Sequence, residues 1–263
     1  SQAGTISIIS DSTNTVVANV TVGQHPFGVA YDSTRGEAFV TSESSDTVAV
    51  ISDRTNTVVA NVTVGSIPIG IAYNPAKGEI FVANYEASSI SIISDSTNTV
   101  VATVNMGGFP YAIVYDPGKG ELFVADDISN TVSVISDSTN TVIANITVGY
   151  TPYGVAYDSA KGEVFVTNEG TGSVSIISDR TNTVVANVTV GDAPFGIAYD
   201  PIKSQIFVAN SISNSISVIS DSTNTVVANV TATGDPLDVV YDSVKGEIFV
   251  TEGTESVLII PDG

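Results

Sequence analysis

Residues 136–166 read SDSTNTVIANITVGYTPYGVAYDSAKGEVFV, and this stretch recurs along the chain. Its Ser-Asp pair returns at 10–11, 52–53, 94–95, 136–137, 178–179 and 220–221. Its second proline turn returns as Pro26, Pro68, Pro110, Pro152, Pro194 and Pro236, and its tyrosine as Tyr31, Tyr73, Tyr115, Tyr157, Tyr199 and Tyr241. Every step is 42 residues, with no insertion before Val250. A period of that length, filled with short apolar alternations, marks a propeller blade repeated around an axis. The 263 residues hold six such units. The expectation is an all-β chain: a six-bladed β-propeller of four-stranded antiparallel blades, a single domain over 1–263.

Each unit spells out its own strands. Thr5 to Ile9 alternates polar and apolar residues, as a half-buried strand does. The Ser-Asp-Ser-Thr-Asn that follows is turn chemistry, because these short polar side chains hydrogen-bond their own backbone. Thr15 to Val22 is β-branched and reads as the next strand. Gly23 to Gly28 is a turn, and 27–31 is a short apolar strand with small residues at Gly28 and Ala30, suited to the crowded inner position. Asp32 to Gly36 is a tight hairpin in which Gly36 is free to take positive φ. The first full blade is thus expected at 27–31, 37–41, 47–51 and 57–64. The copies leave seven third strands for six blades. Either Thr5–Ile9 or Ser256–Ile260 fills the place beside Thr15–Val22.

Composition excludes several functions. The net charge is −20, with eight Lys and Arg against 28 Asp and Glu, which argues against nucleic acid and anionic membrane surfaces. There is no cysteine, hence no disulfide and no thiolate metal site, and one histidine cannot make a His₃ zinc site. No apolar run approaches the ~20 residues of a membrane span. No Gly-x-Ser-x-Gly elbow, P-loop or dinucleotide fingerprint occurs. Charged residues are only 14% of the chain, and Ser, Thr and Asn dominate the polar positions. That combination points to an exported, extracellular or cell-surface monomer, stable well below pH 4.

The run Phe165-Val166-Thr167-Asn168, with Val-Gly-x-x-Pro-x-Gly upstream and Thr-Asn-Thr-Val-Val-Ala at 181–186, resembles the YVTN-type β-propeller repeat of archaeal surface-layer proteins. The resemblance covers essentially the whole chain. It departs in having Phe for Tyr in every copy, and Ser42, Asp126 and Glu252 in place of Asn in three. It implies a propeller fold and a cell-surface setting. Related propellers include lactonases and lyases, whose catalytic signatures do not map onto these residues.

The two ends of each blade differ. Loops one–two and three–four share one end, and they are monotonous: SDSTNT or SDRTNT, and YD-x-x-KGE. Loops two–three and four–one share the other, and they differ in every copy, as in SESSD, NYEASS, DDISN and NEGTG. Diversified loops on a repeated scaffold are where binding surfaces are placed. All eight bases fall at the monotonous end: Arg35, Arg54, Lys77, Lys119, Lys161, Arg180, Lys203 and Lys245. The variable end has only acids, among them Glu43, Asp46, Glu86, Asp126, Asp127, Glu169, Asp192, Asp235, Asp238, Glu252 and Glu255. A surface of one sign attracts cations.

Candidate site residues follow. Position x of Pro-x-Gly gives Phe27, Ile69, Tyr111, Tyr153, Phe195 and Leu237, expected to ring the mouth of the channel. Phe27, Glu43, Tyr85, Glu86, Tyr111, Asp126, Asp127, Tyr153, Glu169, Asp192, Phe195 and Glu252 form the candidate binding surface for a protein, glycan or small molecule. Asp126, Asp127, Asp235, Asp238 and Glu252 are candidate ligands for Ca²⁺ or another divalent cation, since hard cations take oxygen donors. Asp238 stands where five copies have Gly or Ala. His25, with Asp235 and Asp238, is the candidate catalytic group of the alternative reading, a lactonase-type hydrolase. Asn-x-Thr sequons occur at Asn19, Asn61, Asn145, Asn187 and Asn229, all on outer strands.

Overall fold

The computed structural model of the protein describes residues 4–254 and 256–261. The architecture is all-β, a six-bladed β-propeller of four-stranded antiparallel blades. By contact density the chain divides into two compact units, residues 1–120 with 136–142, and residues 121–135 with 143–263.

The first unit opens with β1 (Thr5–Ser10) and β2 (Thr15–Thr21), paired with each other as a two-stranded sheet. Blade one is β3 (Pro26–Asp32), β4 (Glu37–Ser42), β5 (Thr47–Ser52) and β6 (Thr57–Thr63), in that order across the sheet. A 3₁₀ turn, Glu43–Ser45, joins β4 to β5. Blade two is β7 (Pro68–Asn74), β8 (Glu79–Asn84), β9 (Ser89–Ser94) and β10 (Thr99–Asn105). The inner strand β11 (Pro110–Asp116) follows. Each inner strand begins at its proline, the one strand position that needs no N–H to give.

The second unit holds β12 (Glu121–Asp126) and β13 (Thr131–Ser136), whose sheet is completed by β14 (Thr141–Thr147) and β11. Blade four is β15 (Pro152–Asp158), β16 (Glu163–Asn168), β17 (Ser173–Ser178) and β18 (Thr183–Thr189). Blade five is β19 (Pro194–Asp200), β20 (Gln205–Asn210), β21 (Ser215–Ser220) and β22 (Thr225–Thr231). Last come β23 (Pro236–Asp242), β24 (Glu247–Glu252) and β25 (Ser256–Pro261), a three-stranded sheet. Of the two third strands expected to compete for one place, the N-terminal one lies beside Thr15–Thr21, and the C-terminal one pairs with β24.

The core lies between successive blades, where the pleats of one sheet meet the next. Phe39, Val48, Val50 and Val62 of blade one pack with Ile80, Val82 and Ile93 of blade two. Phe165, Val174, Ile176 and Val188 of blade four pack with Ile197, Ile206, Val208 and Ile219 of blade five. The Phe that recurs on each second strand is therefore core: Phe39, Phe81, Phe123 and Phe165 are wholly buried. The hairpin β1–β2 gives blade one the same cover, with Val20 and Val22 against Val40, Ala49 and Ile51.

The turns explain themselves. In Asp32 to Gly36, Gly36 has φ 67, and the buried Asp32 Oδ1 accepts the N–H of Thr34 at 2.8 Å and of Arg35 at 3.2 Å. In each SDSTNT-type turn the Asn takes the left-handed region, for example Asn56 at φ 52 and Asn182 at φ 53, which Asn tolerates better than other residues with a Cβ. In two places, at Thr41 and Thr167, inner strands of adjacent blades are tied by a threonine. Thr167 Oγ1 donates to Phe195 O at 2.7 Å and accepts the Gly154 N–H at 2.7 Å.

Candidate functional site at the variable loop end

The monotonous end is tied up by its own contacts. In every internal copy the tyrosine donates to the aspartate of the next turn: Tyr31 to Asp53 at 2.6 Å, Tyr115 to Asp137 at 2.9 Å, Tyr157 to Asp179 at 2.9 Å. Lysines reach across to the following blade. Lys77 Nζ lies 3.1 Å from Asp137 Oδ1, and Lys161 pairs with the Asp221 carboxylate while donating to Asp221 O at 2.7 Å. Burial and the Asp158 charge push the Tyr199 hydroxyl up to about 12, so it stays a donor. Asn74 occupies the place of Asp158 in blade two, and donates from Nδ2 to Asp137 Oδ2 at 3.0 Å. The tyrosines, the turn aspartates and two of the lysines at this end are thus engaged with one another.

At the variable end of the first unit, aromatic side chains gather. Phe27 and Tyr111 meet edge to face, with centroids 5.7 Å apart at 86°. Tyr85 stands perpendicular to Tyr111 at 6.1 Å and touches Phe109 at 5.2 Å. Phe27 is 54% exposed, whereas Ile69, on the inner strand between those of Phe27 and Tyr111, is buried. Glu86 is exposed beside Tyr85, and Glu43 is half-buried in its 3₁₀ turn. Phe109 escaped the sequence reading. Its signal is the Gly-Phe-Pro order, an aromatic directly before the turn proline in one copy alone. His25 is exposed in the left-handed region, with Nδ1 hydrogen-bonded to Ser44 Oγ at 2.7 Å.

The second unit places its candidates differently. Tyr153 and Phe195 meet edge to face at 4.5 Å. Asp192 is exposed, and its N–H is held by Ser213 Oγ at 2.6 Å; Glu169 and Asp127 are half-buried. Asp126 and Glu252 are turned inward. They take the column that is Asn84, Asn168 and Asn210 in three copies and Ser42 in one, and there Asn168 closes the turn that leads into its own blade. Asn168 Oδ1 accepts the Gly149 N–H at 3.1 Å, and its Nδ2 donates to Ser175 Oγ at 3.0 Å. Glu252 does the same with four acceptances: Thr233 N at 2.8 Å, Thr233 Oγ1 at 2.6 Å, Gly234 N at 3.2 Å and Ser256 Oγ at 2.8 Å. The Thr233 bond foremost holds its carboxyl below the ordinary value, against the pull of burial.

Asp126 is the opposite case. It is 1% exposed, Oδ2 accepts from Ser133 Oγ, and Oδ1 has no partner. Burial raises its pKa above the usual 3.8 despite the Ser133 and Thr131 hydroxyls. A carboxyl raised in the folded state contributes stability that is complete below its unfolded pKa and lost as pH rises through the folded one. At pH 7 the charge is thus a cost. Asp126→Asn, which restores the residue of three other copies, raises stability at pH 7 by on the order of 1 kcal/mol. The gain disappears at pH 3. Denaturant midpoints at the two pH values check this, and a less stable Asn variant at pH 7 refutes it.

Asp238 lies on the inner strand as expected. The residue is exposed as a whole, yet its carboxyl sits against Gly196, and a Cβ built on that glycine would be 2.5 Å from Asp238 Oδ1. That shelter raises its pKa, while the Val239 N–H opposes the rise at 2.9 Å. Asp235 is exposed and accepts the Gly253 N–H through its carbonyl at 2.9 Å. Glu255 lies outside the described residues. Among the described residues, no three His, Cys, Asp or Glu side chains converge as a metal-binding group. The structure does not bring Asp126, Asp127, Asp235, Asp238 and Glu252 to one point in that sense. His25 belongs to the first unit, Asp235 and Asp238 to the second.

No family model matches the chain, and no curated protein matches it. Among solved structures it is similar to hydrazine synthase of Kuenenia stuttgartiensis, with 16% identity, a TM-score of 0.64, and 90% of this chain aligned to 95% of that one. At that identity the likeness establishes the propeller fold alone. No helix is long and apolar enough to cross a membrane among the described residues.

Proposed function

We propose that the chain is an exported or cell-surface propeller of the YVTN type, which binds a positively charged partner through its variable loop end. A propeller is a rigid frame suited to a binding or scaffold role. The observation that carries the finer reading is the contrast between the ends. The monotonous end uses its tyrosines, aspartates and lysines on itself. The variable end carries Phe27, Tyr85, Phe109 and Tyr111 in mutual contact, with acids around them and no base. Aromatic faces and carboxylates together favour ammonium and guanidinium groups, at about 0.5–2 kcal/mol per cation–π contact. The single-sign field adds steering at low salt.

The test is titration of a Lys- and Arg-rich peptide followed by tyrosine fluorescence. Tyr85→Ala combined with Glu86→Lys should weaken binding at least tenfold and flatten its salt dependence. Glu37→Lys, at the other end, should leave it unchanged. Equal affinity in all three proteins rejects the reading. Turnover of lactones, dependent on added Ca²⁺ and on His25, would move the protein to the hydrolase class instead.

A further inference from the structure

We propose that the outer strands are N-glycosylated, at Asn187 and Asn229 in the first place, and by the same logic at Asn19, Asn61 and Asn145. This goes beyond the binding reading and shares with it only the premise of export. All five asparagines are exposed on outer strands, each followed two residues later by Thr on the same face.

The hydrogen bonding of these asparagines accounts for four of the five but not for the pattern as a whole. Asn187 Oδ1 accepts from Ser175 Oγ at 2.8 Å, and Asn229 Oδ1 from Ser217 Oγ at 2.9 Å, which commits the carbonyl end of each amide to the neighbouring strand. Asn19 and Asn145 likewise accept from the facing Ser7 and Ser133, each at 2.8 Å. If that bond were the reason for the asparagine, the two residues would come and go together in every copy, and in two copies they do not. Opposite Asn61 stands Ala49, which has no hydroxyl, and the asparagine is kept. Opposite Ser91 stands Thr103, and the asparagine is absent. What does travel together is Asn with the Thr two places on: in that one copy Thr103 and Asn105 replace both. The pattern preserved is the acceptor sequence rather than the cross-strand bond.

A second observation is local to the same residues. A cleft of about 350 Å³ lies against Asn187, lined also by Thr171, Ser173 and Val184. Its counterpart of about 300 Å³ lies against Asn229, with Ser215, Ser217 and Val226. Both fall at the lower end of the size of small-ligand sites, about 300–1,000 Å³. Hydroxyls beside an aliphatic wall suit a pyranose, which presents hydroxyls at its edge and C–H groups on its face. A glycan attached at Nδ2 has a seat for its first ring.

The chemistry needs a lipid-phosphate-linked oligosaccharide and a membrane transferase as co-reactants. Asn Nδ2 attacks the anomeric carbon, the C–N bond forms, and the bond from that carbon to the phosphate oxygen breaks. The electron pair leaves with the lipid phosphate, and one amide proton passes to the transferase's base. No oxidant or reductant is involved. Sugars on an edge strand also block the pairing of unsatisfied strand edges between molecules.

The experiment is peptide mass spectrometry on the protein isolated from its own cells, with fractionation of the same preparation. The expected result is a glycan mass at Asn187 and Asn229, converted to a one-dalton shift when enzymatic release leaves Asp. A Thr189→Val variant made in the same cells should lose the glycan at Asn187 alone, with an unchanged melting temperature. Unmodified Asn187 and Asn229 in protein recovered from the cell surface overturn this inference and leave the binding reading standing. Protein found only in the cytoplasm overturns both this inference and the premise of export.

Discussion

Phe165→Ala lowers the unfolding free energy by about 3–5 kcal/mol, the cost of emptying a Phe-sized space in a packed core. Phe165 is 0% exposed. It shares its cluster with Val174, Ile176 and Val188 of its own blade and with Ile197, Ile206 and Val208 of the next. Its ring also lies near-parallel to Tyr199, at 6.3 Å and 18°. The blades are held by strand ladders that cannot collapse inward without breaking register, so the cavity stays open and the full cost is felt. Phe165→Leu, which keeps most of the volume, should cost less than half as much. Equilibrium unfolding in urea measures both. A loss under about 1 kcal/mol for Phe165→Ala would mean that blades four and five are not cemented by this residue.

Gly70→Ala has the second large effect, and it links stability to the aromatic cluster. A Cβ at Gly70 would meet Tyr111 O at 2.2 Å and Ala112 Cα at 2.9 Å, both backbone atoms of the next inner strand. Neither can swing away as a side chain could. The strands must separate, at about 1–3 kcal/mol or more for such overpacking. Tyr111 moves with its strand, so its contacts with Phe27 and Tyr85 loosen. The expected signature is a lowered urea midpoint together with a reduced near-ultraviolet tyrosine signal. A destabilised variant with that signal intact would show that Tyr111 is positioned independently of the inner-strand spacing.

The fold was open to reading from the repeat because turn chemistry punctuates every strand. The expected strands at 27–31, 37–41 and 47–51 extend by one residue at most on either side. The site was harder to read. Asp126 and Glu252 looked like displayed acids, since a loop position and a strand's last inward position are alike in a string of letters. The useful sign was the column they occupy, which is Asn in three copies. Asn there works as donor and acceptor for a turn, as Asn168 does. Ser-to-Glu variation in that column reports how each loop is tied. The aromatic cluster stayed hidden for another reason. Tyr85 and Phe109 come from two different loops, and only the stacking of β11 on β7 and β8 brings them within 5.2 Å. Repeat spacing says which residues are equivalent, but not which unequal ones meet.

The outer strands β2, β6, β18 and β22 have one sequence, TVVANVT. Any of them would fit any third strand in the same register, so the pairing code is degenerate. What distinguishes right from wrong partners is proximity along the chain, because every blade's ladder joins strands that follow one another. Synthesis from one end exploits this. During elongation each 42-residue segment can leave the ribosome and pair within itself before the next competing strand emerges. A full-length chain released from denaturant has no such order of events. It must choose among equivalent strands at once, and the mismatched arrays it can enter are kinetic traps that vectorial folding never visits.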